Sequence, residues 1–317
     1  MLEVSARIGK YFGYDAKRVA DRKEQEQRCY KKGRCPLAEF PPAPLTVEGS
    51  CVLHQMFRFD WKAWRCVSLP ERGRIAVQAT RIFQELEQDT PHRAAGQSAL
   101  YSLLGHKGDL MMIHFRNSIS ALNQVELGLA QREFHTFLEA SFSYVSVVEL
   151  GLYESSMKTY AALHAEGLEP HTPAWNAAIN DVLQRQSDAM APRLRPAIPP
   201  AKYLCFYPMD RKRGEQVNWY TVPMVERQRM MHDHGMIGRR YGDRVRQIIS
   251  GSIGLDDWEW GVDLFADDPV AFKQLIYEMR FDEASALYAA FGPFYVGVRL
   301  PADKLEDWLM GEIVEAG

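Results

Sequence analysis

The feature that most restricts how this chain can fold is one order of elements that occurs twice. Alternation typical of a strand begins at Cys51, where Val52, His54, Met56 and Arg58 oppose Leu53, Gln55, Phe57 and Phe59. A helical period follows at Ile75, Val77, Ile82, Phe83 and Leu86. Short strands over 99–104 and 110–115 flank Gly105-His106-Lys107-Gly108, and a helix over 118–138 leads to a strand over 142–152. The order is β-α-β-β-α-β. It recurs as a strand over 202–207, a helix over 221–235, a hairpin of 247–252 with 258–265, a helix over 269–277 and a strand over 294–300. Such an order predicts an α+β chain of two ferredoxin-like repeats, each with two helices on one face of an antiparallel sheet. Closing the open sheet faces on each other would give a dimeric α+β barrel.

The flanking segments set the domain organisation. Residues 1–48 are polar and basic through Lys31, Lys32 and Arg34 and end in Phe40-Pro41-Pro42-Ala43-Pro44, where consecutive prolines forbid a helix. They are read as an N-terminal extension and proline-rich linker. The repeats occupy 49–152 and 201–317, joined by a helical, proline-bearing connection over 153–200. Lys and Arg number 38 against 41 for Asp and Glu, and a net charge of -3 gives no bulk reason to coat nucleic acid or an anionic membrane. No run approaches the roughly 18 apolar residues of a membrane span, and charges interspersed through residues 1–20 leave no signal-peptide core. A soluble, cytoplasmic protein is expected. The five cysteines form neither a CxxC pair nor an even framework and are expected to be free thiols.

Signatures of other chemistries are missing. There is no GxGxxG after a strand, no GxxxxGK[ST], no HExxH and no GxSxG, which removes the main support for nucleotide, zinc-protease and serine-hydrolase readings. Ser250-Gly251-Ser252-Ile253-Gly254 lacks a following helix or lysine and reads as a strand end and turn. Chemistry concentrates between Tyr203 and Gly297. Tyr203, Cys205 and Tyr207 share a strand face, and Pro208 is expected to end that strand before a turn over 210–214. On the next helix Thr221 can cap and Pro223 suits the first turn, with Met231, His234 and Gly238 along one face. An imidazole there, beside Gly235, suits either haem-iron ligation or a hydrogen-bonded structural role.

The residues themselves then carry a resemblance. Tyr207-Pro208-Met209-Asp210, Asn218-Trp219-Tyr220, Met230-Met231-His232-Asp233-His234-Gly235, Gln247-Ile248-Ile249-Ser250-Gly251-Ser252, Asp256-Asp257-Trp258-Glu259-Trp260-Gly261, Leu264-Phe265-Ala266-Asp267-Asp268 and Tyr277-Glu278-Met279-Arg280-Phe281-Asp282-Glu283 resemble, in order, the coproheme decarboxylases of the chlorite dismutase superfamily. Gly105-His106-Lys107-Gly108-Asp109-Leu110 and Ser143-Tyr144-Val145-Ser146-Val147 resemble the N-terminal half of that family. The resemblance covers about residues 50–300. It implies two ferredoxin-like units per chain, a homo-pentamer, and peroxide-dependent oxidative decarboxylation of iron coproporphyrin III (coproheme) to haem b. The porphyrin would be both substrate and redox centre, hydrogen peroxide the oxidant and a ferrochelatase a candidate contact.

By the same resemblance His234 matches the proximal iron ligand, Gln247 the distal residue and Tyr207 the tyrosine that becomes a radical. Arg193, Trp219, Arg280 and Ser285 match positions that hold the porphyrin carboxylates or shape their pocket. Arg211 stands where such decarboxylases tend to carry lysine, with Lys212 beside it, and a permanently charged guanidinium is a poor proton donor. Chlorite-degrading relatives place an arginine at the distal position, so Gln247 argues against chlorite turnover. Two alternatives remain, a haem peroxidase or chlorite-type enzyme on the same fold and a non-catalytic haem-binding protein. Tyr207 favours the decarboxylase over both.

Overall fold

The computed structural model describes residues 41–87 and 96–312. Most of the N-terminal extension, with Cys29 and Cys35, lies outside the described residues; Cys51, Cys66 and Cys205 are free thiols. The first half opens with β1 (Thr46–Phe59), after which the Asp60 side chain accepts from Ala63 N at 2.8 Å and so starts α1 (Trp61–Cys66). In α2 (Leu69–Glu87) the buried residues Ile75, Ala76, Ala79 and Phe83 recur at helical spacing and pack on the sheet. β2 (Gln97–Leu103), β3 (Leu110–Arg116), α3 (Ile119–Ala130) capped by Ser118, and β4 (Leu138–Gly151) complete the half.

The connection contains α4 (Tyr153–Ala165), α5 (Pro173–Ala189) and α6 (Ala191–Leu194). The second half follows with β5 (Tyr203–Arg211), α7 (Met224–Arg240), β6 (Arg246–Gly251), β7 (Trp260–Ala266), α8 (Val270–Met279), α9 (Glu283–Tyr288), β8 (Ala289–Phe291) and β9 (Tyr295–Leu300), and then α10 (Leu305–Met310). No helix among the described residues is long and apolar enough to cross a membrane.

All strand pairs are antiparallel, in the order β7-β6-β4-β1-β3-β2-β9-β5-β8, and β5 also pairs with β7. The ladder therefore closes on itself, with β8 as an appendage. Two seams join the halves: β2 meets β9 from Leu100↔Leu300 to Leu103↔Gly297, and β4 meets β6 at Val147↔Gly251 and Val148↔Ser250. Side-chain alternation then sorts residues to two sides. Val52, Met56, Tyr101, Ile113, Tyr144, Phe206 and Phe265 fill the ring. Phe59, Trp64, Phe83, Met112 and Phe134 pack outside the first half, and Cys205, Tyr207, Val262, Leu264, Leu275 and Met279 outside the second. Each such burial contributes about 1.5–3 kcal/mol. One polar pair crosses the ring, His54 Nε2 to Asp263 Oδ1 at 2.9 Å.

Several boundaries differ from the sequence expectation, each for a packing reason. β1 begins at Thr46, before the alternation, because its first residues pair with β4 from Thr46↔Gly151. The helix expected over 118–138 stops at Ala130, and a 3-10 turn (Glu133–Phe137) folds Phe134 and Phe137 onto Phe59, 5.9 and 6.0 Å away, which a straight helix would not reach. Pro208 does not end its strand. It lies where the neighbour of β5 changes from β9, paired up to Phe206↔Tyr295, to β8, paired from Met209↔Phe291, so its missing N–H falls in the gap between partners. Thr221 does not cap the next helix: it belongs to a 3-10 turn (Trp219–Thr221), and α7 starts after Pro223 and continues to Arg240.

Candidate functional site

The outward face of the second half is ordered by strand register. Gln247 pairs with Leu264, which pairs with Cys205 and through it Val296. One step along, Ile249, Val262 and Tyr207 form a row; the next contains Gly251, Trp260, Met209 and Phe291. Gln247 and Tyr207 thus share a face, two strands and one row apart, or about 12 Å between backbones. α7 and α8 lie over this face.

Tyr207 is 4% exposed, with Phe294 stacked at 4.6 Å and Phe291 at 5.6 Å between ring centres. Burial pushes its phenol up and Cys205 adds to this, while the Arg280 and Arg211 guanidiniums act in the opposite direction. The hydroxyl keeps its proton. Burial likewise holds the Cys205 thiol up at about 12.

His234 projects from α7. Its Nδ1 donates to Asp282 Oδ2 at 3.0 Å and lies 3.5 Å from Ser285 Oγ. Asp282 is the cap of α9, accepting from Ser285 N at 2.9 Å through Oδ1 and from Ser285 Oγ at 2.9 Å through Oδ2. Burial raises the Asp282 carboxyl, but the bonds and charge from His234 and the Ser285 donors outweigh it and hold the group below the usual range. An ionised acceptor on Nδ1 fixes the tautomer and leaves the lone pair on Nε2. One turn further, a Cβ on Gly238 would stand 3.4 Å from Gln247 Nε2 and from Met279 Cε, an ordinary contact distance that puts this turn of the helix beside the Gln247 side chain.

Arg211 is buried on the same strand face as Tyr207. Its guanidinium lies 4.7 Å over Trp219 and donates to Ala284 O at 3.1 Å and Met231 Sδ at 3.3 Å. Lys212, the next residue, is exposed and faces the other way. Arg280 ends α8 with its guanidinium 4.6 Å over Phe291. Tyr207, Gln247, His234, Arg211, Trp219, Arg280 and Ser285 are therefore gathered around one helix-covered face. Arg193 is not: it is exposed on α6, which packs on β1 and β4. Asp282 is the residue that sequence reading missed as a site member; the Asp-x-x-Ser cap beginning at 282 was its only local signal.

The donor set fits an iron porphyrin. One imidazole offers a free Nε2, an apolar and aromatic sheet face lies opposite, and the guanidiniums of Arg211 and Arg280 have no carboxylate partner among the described residues. No group of three or more His, Cys, Asp and Glu among the described residues is placed to hold a bare metal ion.

The chlorite dismutase family model matches residues 72–300. A solved structure described as a novel heme-binding protein from Thermus thermophilus is 38% identical, with a TM-score of 0.70 over 86% of this chain and 99% of that chain. Chlorite dismutase from Candidatus Nitrospira defluvii in complex with imidazole has a TM-score of 0.61 at 15% identity, over 83% of this chain and 95% of that chain, a likeness of fold alone.

Proposed function

The chain belongs to the chlorite dismutase family, and from that premise we propose that it binds an iron porphyrin and decarboxylates coproheme to haem b with hydrogen peroxide. The observation that carries this reading is the placement of Tyr207 and Gln247 on one sheet face beneath the helix that bears His234. The strand orders β4-β1-β3-β2 and β6-β7-β5-β9 support reading the halves as two ferredoxin-like units in one barrel. The same reading takes in a soluble homo-pentamer.

Bound, the iron macrocycle supplies the chemistry that reduces peroxide. His234 Nε2 would hold the iron, and Asp282 on Nδ1 would keep the imidazole oriented and electron-rich. Gln247 offers an amide on the sheet side, where it can hold peroxide by hydrogen bonds without bringing a charge. Arg211 and Arg280 would bind and orient the carboxylate side arms, with Trp219 fixing the Arg211 plane by stacking, and Ser285, whose hydroxyl donates to Asp282, would join them only by giving up that bond. Arg193, on a different helix, would join them only by spanning from α6. Tyr207, enclosed by Phe291 and Phe294 and away from water, would pass its hydroxyl hydrogen to the oxygen left from peroxide, which departs as water, and take one back from the propionate β-carbon, whose radical would then lose a second electron and carbon dioxide. Each propionate, with one peroxide and one proton, gives a vinyl group, carbon dioxide and two waters. Two such rounds convert coproheme to haem b.

The test is mass spectrometry of coproheme titrated with peroxide. Two successive losses of carbon dioxide are expected, and Tyr207→Phe should bind the porphyrin without converting it. Conversion by Tyr207→Phe at the wild-type rate would remove the radical role. A haem peroxidase is a second reading, favoured by the carboxylate on His234; it would consume peroxide and leave the porphyrin mass unchanged.

A further inference from the structure

The stoichiometry above takes up one proton per propionate, and the groups already assigned do not supply it. Arg211 and Arg280 stay charged, the His234 Nδ1 proton is committed to Asp282, and Tyr207 only regains from the side arm the hydrogen atom it gives up. A protonated acid must face the site from elsewhere. Glu149, near the end of β4, brings a carboxyl to the edge of this face. Val147 continues the row of Gly251, Trp260 and Met209 across the β4–β6 seam, and Glu149, two residues further along β4, shares its face and lays its carboxyl back over Gly251. A Cβ on Gly251 would overlap the Glu149 carboxyl, lying 3.0 Å from its Cδ and 3.4 Å from its Cβ, so the glycine is what admits that carboxyl onto the sheet. From above β6 it stands about 12 Å from Tyr207, so a substrate that reached both would have to be as broad as a porphyrin with its side arms.

We propose that Glu149 is the proton-holding residue of this site and gives up the proton that each decarboxylation consumes; the inference rests on the decarboxylase reading. Reducing one peroxide to two waters takes two electrons and two protons. The propionate supplies both electrons and, from its β-carbon, one proton; Glu149 supplies the other and is reprotonated from bulk water.

The surroundings favour the protonated form. Glu48 lies directly opposite in register, held by Thr46 Oγ1 at 2.5 Å, and two facing carboxylates repel. Burial first, then the charge of Glu48, raise the Glu149 carboxyl, against a hydrogen bond from the Trp260 side chain. From the helices, Tyr153 at the start of α4 feels Glu149 together with Arg227 of α7 and Arg211, and packs against the cluster of Trp219, on which Arg211 stacks.

Infrared difference spectra of the full chain, titrated with acid, test this without turnover. A protonated-carboxyl stretch should persist above the ordinary carboxylate range, vanish in Glu149→Gln, and titrate at lower pH in Glu48→Gln. With coproheme and peroxide, Glu149→Gln should bind the porphyrin as wild type does, lose about 100-fold in kcat and lose the fall in rate as pH rises through the carboxyl's titration; Glu149→Asp should restore part of the rate. Absence of that band from the wild type, or a Glu149→Gln variant with wild-type kcat and pH profile, overturns the proposal. A wild type that shows the band but releases no carbon dioxide overturns the decarboxylase reading and with it the turnover role.

Discussion

Asp282→Asn separates the charge on the proximal side from its geometry. Asparagine caps a helix as well as aspartate does and can still accept from Ser285 N, where Asp282 now accepts at 2.9 Å. What it removes is the ionised partner of His234 Nδ1, at 3.0 Å and with Asp282 nearly out of solvent. A hydrogen bond to a charged group contributes about 1.5–3 kcal/mol and a neutral one about 0.5–1.5. The difference, about 1 kcal/mol, is roughly fivefold in the folding equilibrium. Urea unfolding of the apo chain should show a lower midpoint with an unchanged slope.

The pH dependence gives the sign. The folded pKa of Asp282 is depressed, so its contribution is complete above the unfolded value of about 3.9 and is lost as pH falls through the folded value. The gap between wild type and variant should therefore hold at pH 7 and close on acidification below about 4. With ferric porphyrin bound, the weaker imidazole donor should raise the iron's reduction potential. Equal midpoints at pH 7, or a gap that survives undiminished in acid, would refute the charge-assisted bond.

Two substitutions away from the site follow from packing. Asp263→Ala leaves His54 Nε2 without its partner inside the ring, where both side chains are almost wholly buried, and should cost about 1–3 kcal/mol; replacing both by leucine should recover part of this in the same denaturation assay. Gly49→Ala puts a Cβ onto the backbone carbonyl of Leu194, which has no rotamer to change, so α6 must shift. A loss of about 1–3 kcal/mol, read as a lower thermal midpoint, is expected.

The alternation that located β5 and β6 also set Tyr207 and Gln247 on a common face, because strand period is a local property and register preserves it across the sheet. The α7 stripe of Met231, His234 and Gly238 was legible for the same reason. Asp282 was not. Its bond to His234 joins residues 48 apart, and nothing in either segment encodes that meeting. The turn after Ala130 and the passage of β5 through Pro208 were hidden likewise, since aromatic packing decides the first and a change of neighbouring strand the second. Arg211 is expected in a turn after Pro208, and it is the continuation of β5 to this residue that puts it on the face of Tyr207. That its charge settles on Trp219 needed the fold.

A ring of strands has no end from which to fray, so separation must begin at its thinnest junction. Two residue pairs join β4 to β6, whereas four join β2 to β9. The shorter of these joins lies beside the strand that carries Gln247 and under the carboxyl of Glu149. Thermal opening of the barrel is thereby expected first at that leaf, on the side where Gln247 and Tyr207 lie.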